Sequence, residues 1–213
     1  MRPANRLYAA ALVLLALGGM GGMFWLGQTL ADIQSRLHPT PQEEQRRLQA
    51  ALVVAAEVQE GLGALADDLK ADRAVVFLAH NGSTDLTGQI PFMYLSPAYI
   101  HLRPGIAWRE QWNGQSPLST YAPTLRRIFK DPAKPVCLRR TITDPDITEA
   151  SRERMKGRGT ERWFTCPLTG KGGVSGFLVV EYTHKEAQTL ADADVLHRVA
   201  ETAGTVHRSL TRG

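Results

Sequence analysis

Apolar and polar residues are unevenly spread along the chain from its first ten positions. Residues 7–31 carry no charged side chain, with Arg2 and Arg6 before them and Asp32 and Arg36 after. At about 1.5 Å per helical residue, about 20 apolar residues cross a bilayer core, so the run predicts a transmembrane helix. A cleaved signal peptide is the rival reading, with an apolar core of about 7–15 residues and a small-x-small cleavage site. Thr29-Leu30-Ala31 matches such a site loosely, the run is too long, and Phe24 and Trp25 stand where a cleavage region is polar. Gly18 and Gly22 lie four apart, the spacing that lets two membrane helices approach closely. A lone helix weakened by glycine is the plain alternative. The expected organisation is a tail over 1–6, a membrane helix over 7–31, a juxtamembrane helix or coiled coil over 32–70, and a folded domain over 71–213.

Pro39 and Pro41, with Thr40 as a cap, introduce a helical pattern over 42–71. Leu48, Leu52, Ala55, Gln59, Leu62, Ala66 and Leu69 alternate spacings of four and three, a heptad seam interrupted by Gln59 and weakened at Gly61 and Gly63. The seam suits a dimeric coiled coil and a helix packed on its own domain equally well. The rhythm then changes. Residues 73–79 predict a strand ended by a His80-Asn81-Gly82-Ser83 turn, and 90–102 a second strand broken at Arg103-Pro104-Gly105. A helix over 121–129, capped by Ser119 or Thr120, and a strand over 135–141 follow. Residues 147–158 read as helical or irregular. Strands over 163–168 and 174–182 flank a hairpin turn at 169–173. The closing helix, 185–212, repeats the seam at Leu196, Val199, Ala203, Val206 and Leu210. This order predicts an α+β domain, a five-stranded antiparallel sheet with helices on one face. The two seamed helices are expected to pair with each other, and across a dimer.

Composition changes this picture in one respect. All 25 basic and 21 acidic residues lie outside residues 7–31, so the mean hydropathy of -0.21 averages an anchor with an ordinary domain. Mixed charge with aromatics excludes a disordered chain. Two cysteines exclude a disulfide scaffold and a cysteine-built zinc site. Walker A, HExxH, GxSxG and Cys/His metal spacings are all missing, so no metal, no cofactor and no enzymatic activity are expected. Gly170-Lys171-Gly172-Gly173 lies between two strands, where a phosphate loop would lead into a helix, and reads as a turn.

Arg126, Arg127, Lys130, Lys134, Arg139 and Arg140 form a basic stretch with Asp131 as its only acid. Arg152, Arg154, Lys156, Arg158 and Arg162 form a second. Solvated faces account for both. Anionic headgroups suit the first if the domain is cytoplasmic. Nucleic acid is not expected, because stacking aromatics are not interleaved with the charges. Arg36, Arg46 and Arg47 after the span outnumber Arg2 and Arg6, which leans toward a cytoplasmic domain at an inner membrane. The tight N-terminal pair argues for the periplasm.

The order of elements, together with the run from Asp72 through Val75-Val76-Phe77-Leu78 to His80-Asn81-Gly82, resembles a GAF-like domain. Such domains are small-molecule sensing modules related to PAS domains, and the likeness is to those of small membrane-anchored bacterial and phage proteins. Residues 99–106, 115–119 after Trp112, and 176–182 are similar to that family as well. The resemblance implies a sensory or scaffolding protein that acts through an unidentified protein partner, or through its oligomer state as a homodimer, with no output domain of its own. It puts Tyr94, Tyr99, Arg103, Trp108 and Trp112 in the segment that lines the family's pocket, where aromatic faces and one cation suit a planar or anionic small molecule. Core packing is the plain alternative. His80 and Asn81 either meet a ligand or only shape a turn. Some GAF domains reduce methionine sulfoxide with cysteines, which makes a redox pair of Cys137 and Cys166 one reading. Inert packing thiols, and a disulfide if the domain faces an oxidising compartment, are the others. A purely structural membrane-associated protein without a pocket is the third functional class.

Overall fold

The computed structural model describes residues 40–84, 91–108, 114–131, 133–170, 173–184 and 190–212. The expected span over 7–31, its Gly18–Gly22 face and Trp112 lie outside the described residues. Two units are distinguished, one reaching to Ala51 and one over Leu52–Gly213.

Helix α1 (Pro41–Leu69) begins in the first unit. Its entry is a capping box: the Glu43 N–H donates to Thr40 Oγ1 at 3.3 Å, and the Thr40 N–H donates to the Glu43 carboxylate at 2.8 Å. The cap read at Thr40 is present. Leu48, in this unit, is exposed.

The second unit contains the rest of α1, then β1 (Arg73–Thr84), β2 (Pro91–Leu102), β3 (Ser116–Pro117), α2 (Ala122–Ile128), β4 (Leu138–Thr141), α3 (Glu149–Gly157), β5 (Arg162–Gly170), β6 (Gly173–Tyr182) and α4 (Asp192–Thr211). One sheet runs β3-β2-β1-β6-β5-β4, and every neighbouring pair is antiparallel. The α+β class holds. Among the described residues the strand count is six rather than five, because Ser116 and Pro117 pair with Leu95 and Tyr94. Two residues give no alternation to read, and a strand containing proline survives only at a sheet edge.

Residues 80–82 are not the expected turn. They continue β1, with His80 opposite Tyr94 and Asn81 opposite Met93. The neighbouring strand satisfies their backbone groups, which overrides the local turn preference of Asn-Gly.

Alternation along β1 sends Ala74, Val76 and Leu78 to one face of the sheet and Phe77 and Ala79 to the other. On the first face, Val58, Leu62, Leu65, Ala66 and Leu69 of α1 and Val195, Val199, Ala203 and Val206 of α4 form the main core. The C-terminal half of the seam thus packs on its own domain. Gln59, its polar interruption, donates to the Ile100 carbonyl at 2.9 Å. The two helices are also joined at their edges, Ser209 donating to Glu57 at 2.9 Å and Arg198 pairing with Asp68 at 3.0 Å. Among the described residues, α1 alone is long and apolar enough to cross a membrane by length and composition. Its buried stripe is already committed to this core.

The opposite face is covered too, which corrects the expectation of helices on one side. Ile128 of α2 and Met155 of α3, with Ile147, lie over Leu95, Trp163, Phe177 and Val179. Only one apolar side chain of each short helix is fully buried, so neither shows a clear amphipathic period.

Candidate functional site

Between the second sheet face and the helices α2 and α3 lies a cavity of about 50 Å³. Its floor comes from inward-facing strand residues, among them Phe77 of β1, Leu95 of β2, and Phe177 and Val179 of β6. Leu125 and Ile128 of α2 and Met155 of α3 close it from above. Tyr121, Thr124, Ser151, Thr165 and Arg158 are the polar residues of its described lining. At about 10–15 Å³ per water, the space holds a few water-sized groups.

The roof is cross-braced. Thr148 caps α3 by accepting from the Ser151 N–H at 3.1 Å, and its hydroxyl donates to the Thr120 carbonyl at 2.8 Å, next to the start of α2. Arg154 donates to Tyr121 Oη at 2.8 Å and to Ser116 Oγ, tying α3 to β3. Arg152 donates to the carbonyls of Ile142 and Asp144, fixing the loop before α3.

Arg158 follows the last turn of α3, with its side chain 2% exposed. It donates to Glu181 Oε1 at 3.1 Å, and its guanidinium lies 4.8 Å from the Trp108 ring centroid and 5.7 Å from that of Phe77. A buried cation is tolerable in such a place because a carboxylate and two aromatic faces meet it. Glu181, fully buried on β6, also accepts from Arg73 and Thr160, each at 2.9 Å. Arg73 in turn donates to the Arg158 carbonyl at 2.7 Å. One network therefore joins the cavity wall to the first residue of β1, four positions after the end of α1. Beside it, buried Asp72 accepts from the Thr183 N–H at 2.6 Å and hydroxyl at 2.7 Å and pairs with Arg103.

Of the described residues expected to meet a ligand, Trp108 alone reaches this site, through Arg158. His80 Nε2 is 2.9 Å from Ser96 Oγ, and its ring stacks on Tyr94 at 6.0 Å. Strand alternation puts His80, Tyr94 and Tyr99 on the α1–α4 face, where Tyr99 packs against the main core. They lie behind the sheet from the cavity. Arg103 is taken up by Asp72, and Asn81 sits within β1. Proximity in sequence had grouped residues that the pleat separates.

The residues missed are Phe77 of β1, Tyr121 just before α2, Met155 of α3, Arg158 at its C-terminal end and Phe177 of β6. Two of their supports did leave a signal. Arg73 opens an apolar run and Glu181 nearly closes another, and a charge inside a buried strand requires a partner.

The first basic stretch is not one surface. Arg140 is fully buried and pairs with Asp144 at 3.2 Å and Asp146 at 2.9 Å, so it cannot face headgroups. Arg127 pairs with Asp146 at 3.2 Å and Arg139 with Asp192 at 2.9 Å, while Arg126, Lys130 and Lys134 are exposed. The Arg140 hydrogen bond, helped by Arg127, holds the Asp146 carboxyl down at about 2. Cys137 and Cys166 are joined as a disulfide, with Cα atoms 4.3 Å apart, and are not free thiols. Among the described residues no group of His, Cys, Asp and Glu could hold a metal.

No protein-family model matches the chain, and no curated protein matches it. Among solved structures it is similar to a far-red cyanobacteriochrome photoreceptor, with a TM-score of 0.59, 9% identity, and coverage of 84% of this chain and 98% of that one. It is also similar to the phycoerythrobilin-bound GAF domain from a cyanobacterial phytochrome, with a TM-score of 0.57, 10% identity, and coverage of 78% and 89%. The blue-light absorbing form of the PixJ GAF domain of Thermosynechococcus elongatus gives a TM-score of 0.52, 10% identity, and coverage of 76% and 89%. At such identities the likeness is one of fold. The chain has a GAF-like fold.

Proposed function

We propose that this chain is a single-pass membrane-anchored sensor. Its GAF-like domain takes a small molecule into the cavity beneath α2 and α3. It then acts through a protein partner or through its own oligomer state. The observation that carries this reading is the cavity, an apolar space with a few hydroxyls and one buried cation on one face of a sensory-module fold. One structural neighbour is titled as bound to phycoerythrobilin. A space of about 50 Å³ favours a far smaller guest here. Residues 7–31 supply the anchor, and α1 is the element between anchor and domain. Leu52 and Val53, 60% and 59% exposed, suit contact with a second copy or a partner.

The Cys137–Cys166 disulfide supports a domain in an oxidising compartment, on the periplasmic side, with Arg2 and Arg6 left in the cytoplasm. That reading sets the tight N-terminal pair above the arginine count. A thiol-reductase activity draws no such support, because Cys166 is 1% exposed and screened from an external substrate.

The test is a thermal-shift screen of small molecules on the full chain in lipid nanodiscs, against wild type and Met155→Trp, which fills the cavity. Ligands that raise the Tm of the wild type and leave the variant unmoved are the expected result. Shifts that persist in Met155→Trp, or a diverse screen with none, would overturn the reading.

A further inference from the structure

The two helices that roof the cavity hang on one short strand between them. In chain order β4 lies between α2 and α3, and among the described residues it ends the sheet, paired with β5 on one side. The end of α2 is tied to the residues just before β4, the Val136 N–H donating to the Ile128 carbonyl at 3.0 Å. The approach to α3 is tied to β4 itself. Arg140, fully buried on β4, pairs with Asp144 at 3.2 Å and Asp146 at 2.9 Å, and Arg127 of α2 reaches the same Asp146 at 3.2 Å. Arg152 of α3 donates to the carbonyls of Ile142 and Asp144. Four residues paired along one edge are a weak mooring for two helices, because such short ladders open locally at low cost. A covalent bond from Cys137 to Cys166 of β5 fastens the start of this strand. Helix α3 has further ties at its end, Arg154 to Ser116 and Arg158 to Glu181, so α2 leans most on β4.

We propose that the Cys137–Cys166 disulfide locks this roof, so that the cavity is assembled only in the oxidised protein. This rests on the small-molecule reading above and adds the regulation of that site, which stays unformed until the chain meets an oxidant. The step is an exchange with an oxidant of the disulfide class. The Cys137 and Cys166 thiols give up two protons and two electrons, the S–S bond between them forms, and the oxidant leaves as a dithiol. The reverse is hindered once the domain has folded. Cys166 is 1% exposed within the main core, so a dithiol that attacks half-buried Cys137 must expel a thiolate into apolar surroundings. The bond is therefore a lock set at assembly, not a switch that flickers with the surrounding thiol pool.

Amide hydrogen exchange of the full chain in lipid nanodiscs tests this without a ligand. Three samples are compared: the oxidised wild type, the wild type after reduction verified by thiol alkylation, and Cys137→Ala/Cys166→Val. Loss of the cross-link is expected to lower protection in α2 and over residues 138–148 by about tenfold or more beyond any loss in β1 and β6, the mark of a roof that opens by itself. If the variant fails to fold, the reduced wild type, folded before the reductant is added, decides. Equal losses in the roof and in β1 and β6 overturn the proposal, because the bond then stabilises the whole domain alike. Unchanged protection in α2 overturns it too. Neither result touches the small-molecule reading, which stands or falls with the Met155→Trp screen.

Discussion

At Gly176 the strands β1 and β6 approach so closely that an added Cβ would lie 2.0 Å from the Phe77 carbonyl oxygen. That atom is backbone and cannot swing aside. Gly176→Ala is therefore expected to lower stability by roughly 1–3 kcal/mol and to disturb the Phe77 side of the cavity. Equilibrium denaturation of the variant measures this, and an unchanged midpoint would contradict it. Tyr182 is a second buried contact, its hydroxyl donating to the Leu69 carbonyl at 3.1 Å at the end of α1. Burial raises its pKa to about 12. The fold disfavours the phenolate, so Tyr182 stabilises fully below about pH 10, its value when unfolded. That contribution is lost as pH rises through about 12. Tyr182→Phe is expected to cost about 1 kcal/mol at neutral pH and to flatten the loss of stability above pH 10. A variant with the wild-type alkaline profile would contradict it. Both residues were visible in the sequence only as a strand glycine and a strand tyrosine. Their neighbours lie about a hundred positions away, which no local pattern reports.

Among the elements, those with a long apolar period were legible. The seam along α1 and its repeat in α4 predicted both helices, because burying one face of a helix demands that spacing. What each seam packs against was not legible, since a coiled-coil partner and a sheet ask for the same residues. Elements stabilised by their neighbours were misread, the run of β1 through residues 80–84 and the two-residue β3 being the examples. Edge strand β4 is a further case. It has four residues, and the Cys137–Cys166 disulfide fastens its start to β5. With the cysteines 29 positions apart, the cross-link is expected to contribute about 3–4 kcal/mol. Thermal unfolding with and without reductant, and of Cys137→Ser/Cys166→Ser, is expected to show that loss. An unchanged Tm after verified reduction would contradict it.

For the whole molecule, the order of helices and strands was enough to predict the α+β class. Antiparallel neighbours joined by short links admit few arrangements. The placement of helices on both faces was not, because α2 and α3 are short and polar and bury little. That is also why the cavity escaped the sequence. It lies under the two helices with the weakest pattern, and Tyr94 and Tyr99, which looked like pocket residues, face the other side of the sheet. Within the domain, the cavity lies on the other side of the sheet from the C-terminal half of α1, and buried Arg158, Glu181 and Arg73 link its wall to the start of β1. The chain has five methionines, and Met155 lies in the cavity roof. The most direct test is therefore the methyl NMR spectrum of the full chain labelled at methionine, titrated with a mixture of short acids, amides and alcohols. The account expects the Met155 methyl, assigned through Met155→Leu, to shift saturably with a member of the mixture. A Met155 resonance unmoved throughout would contradict it.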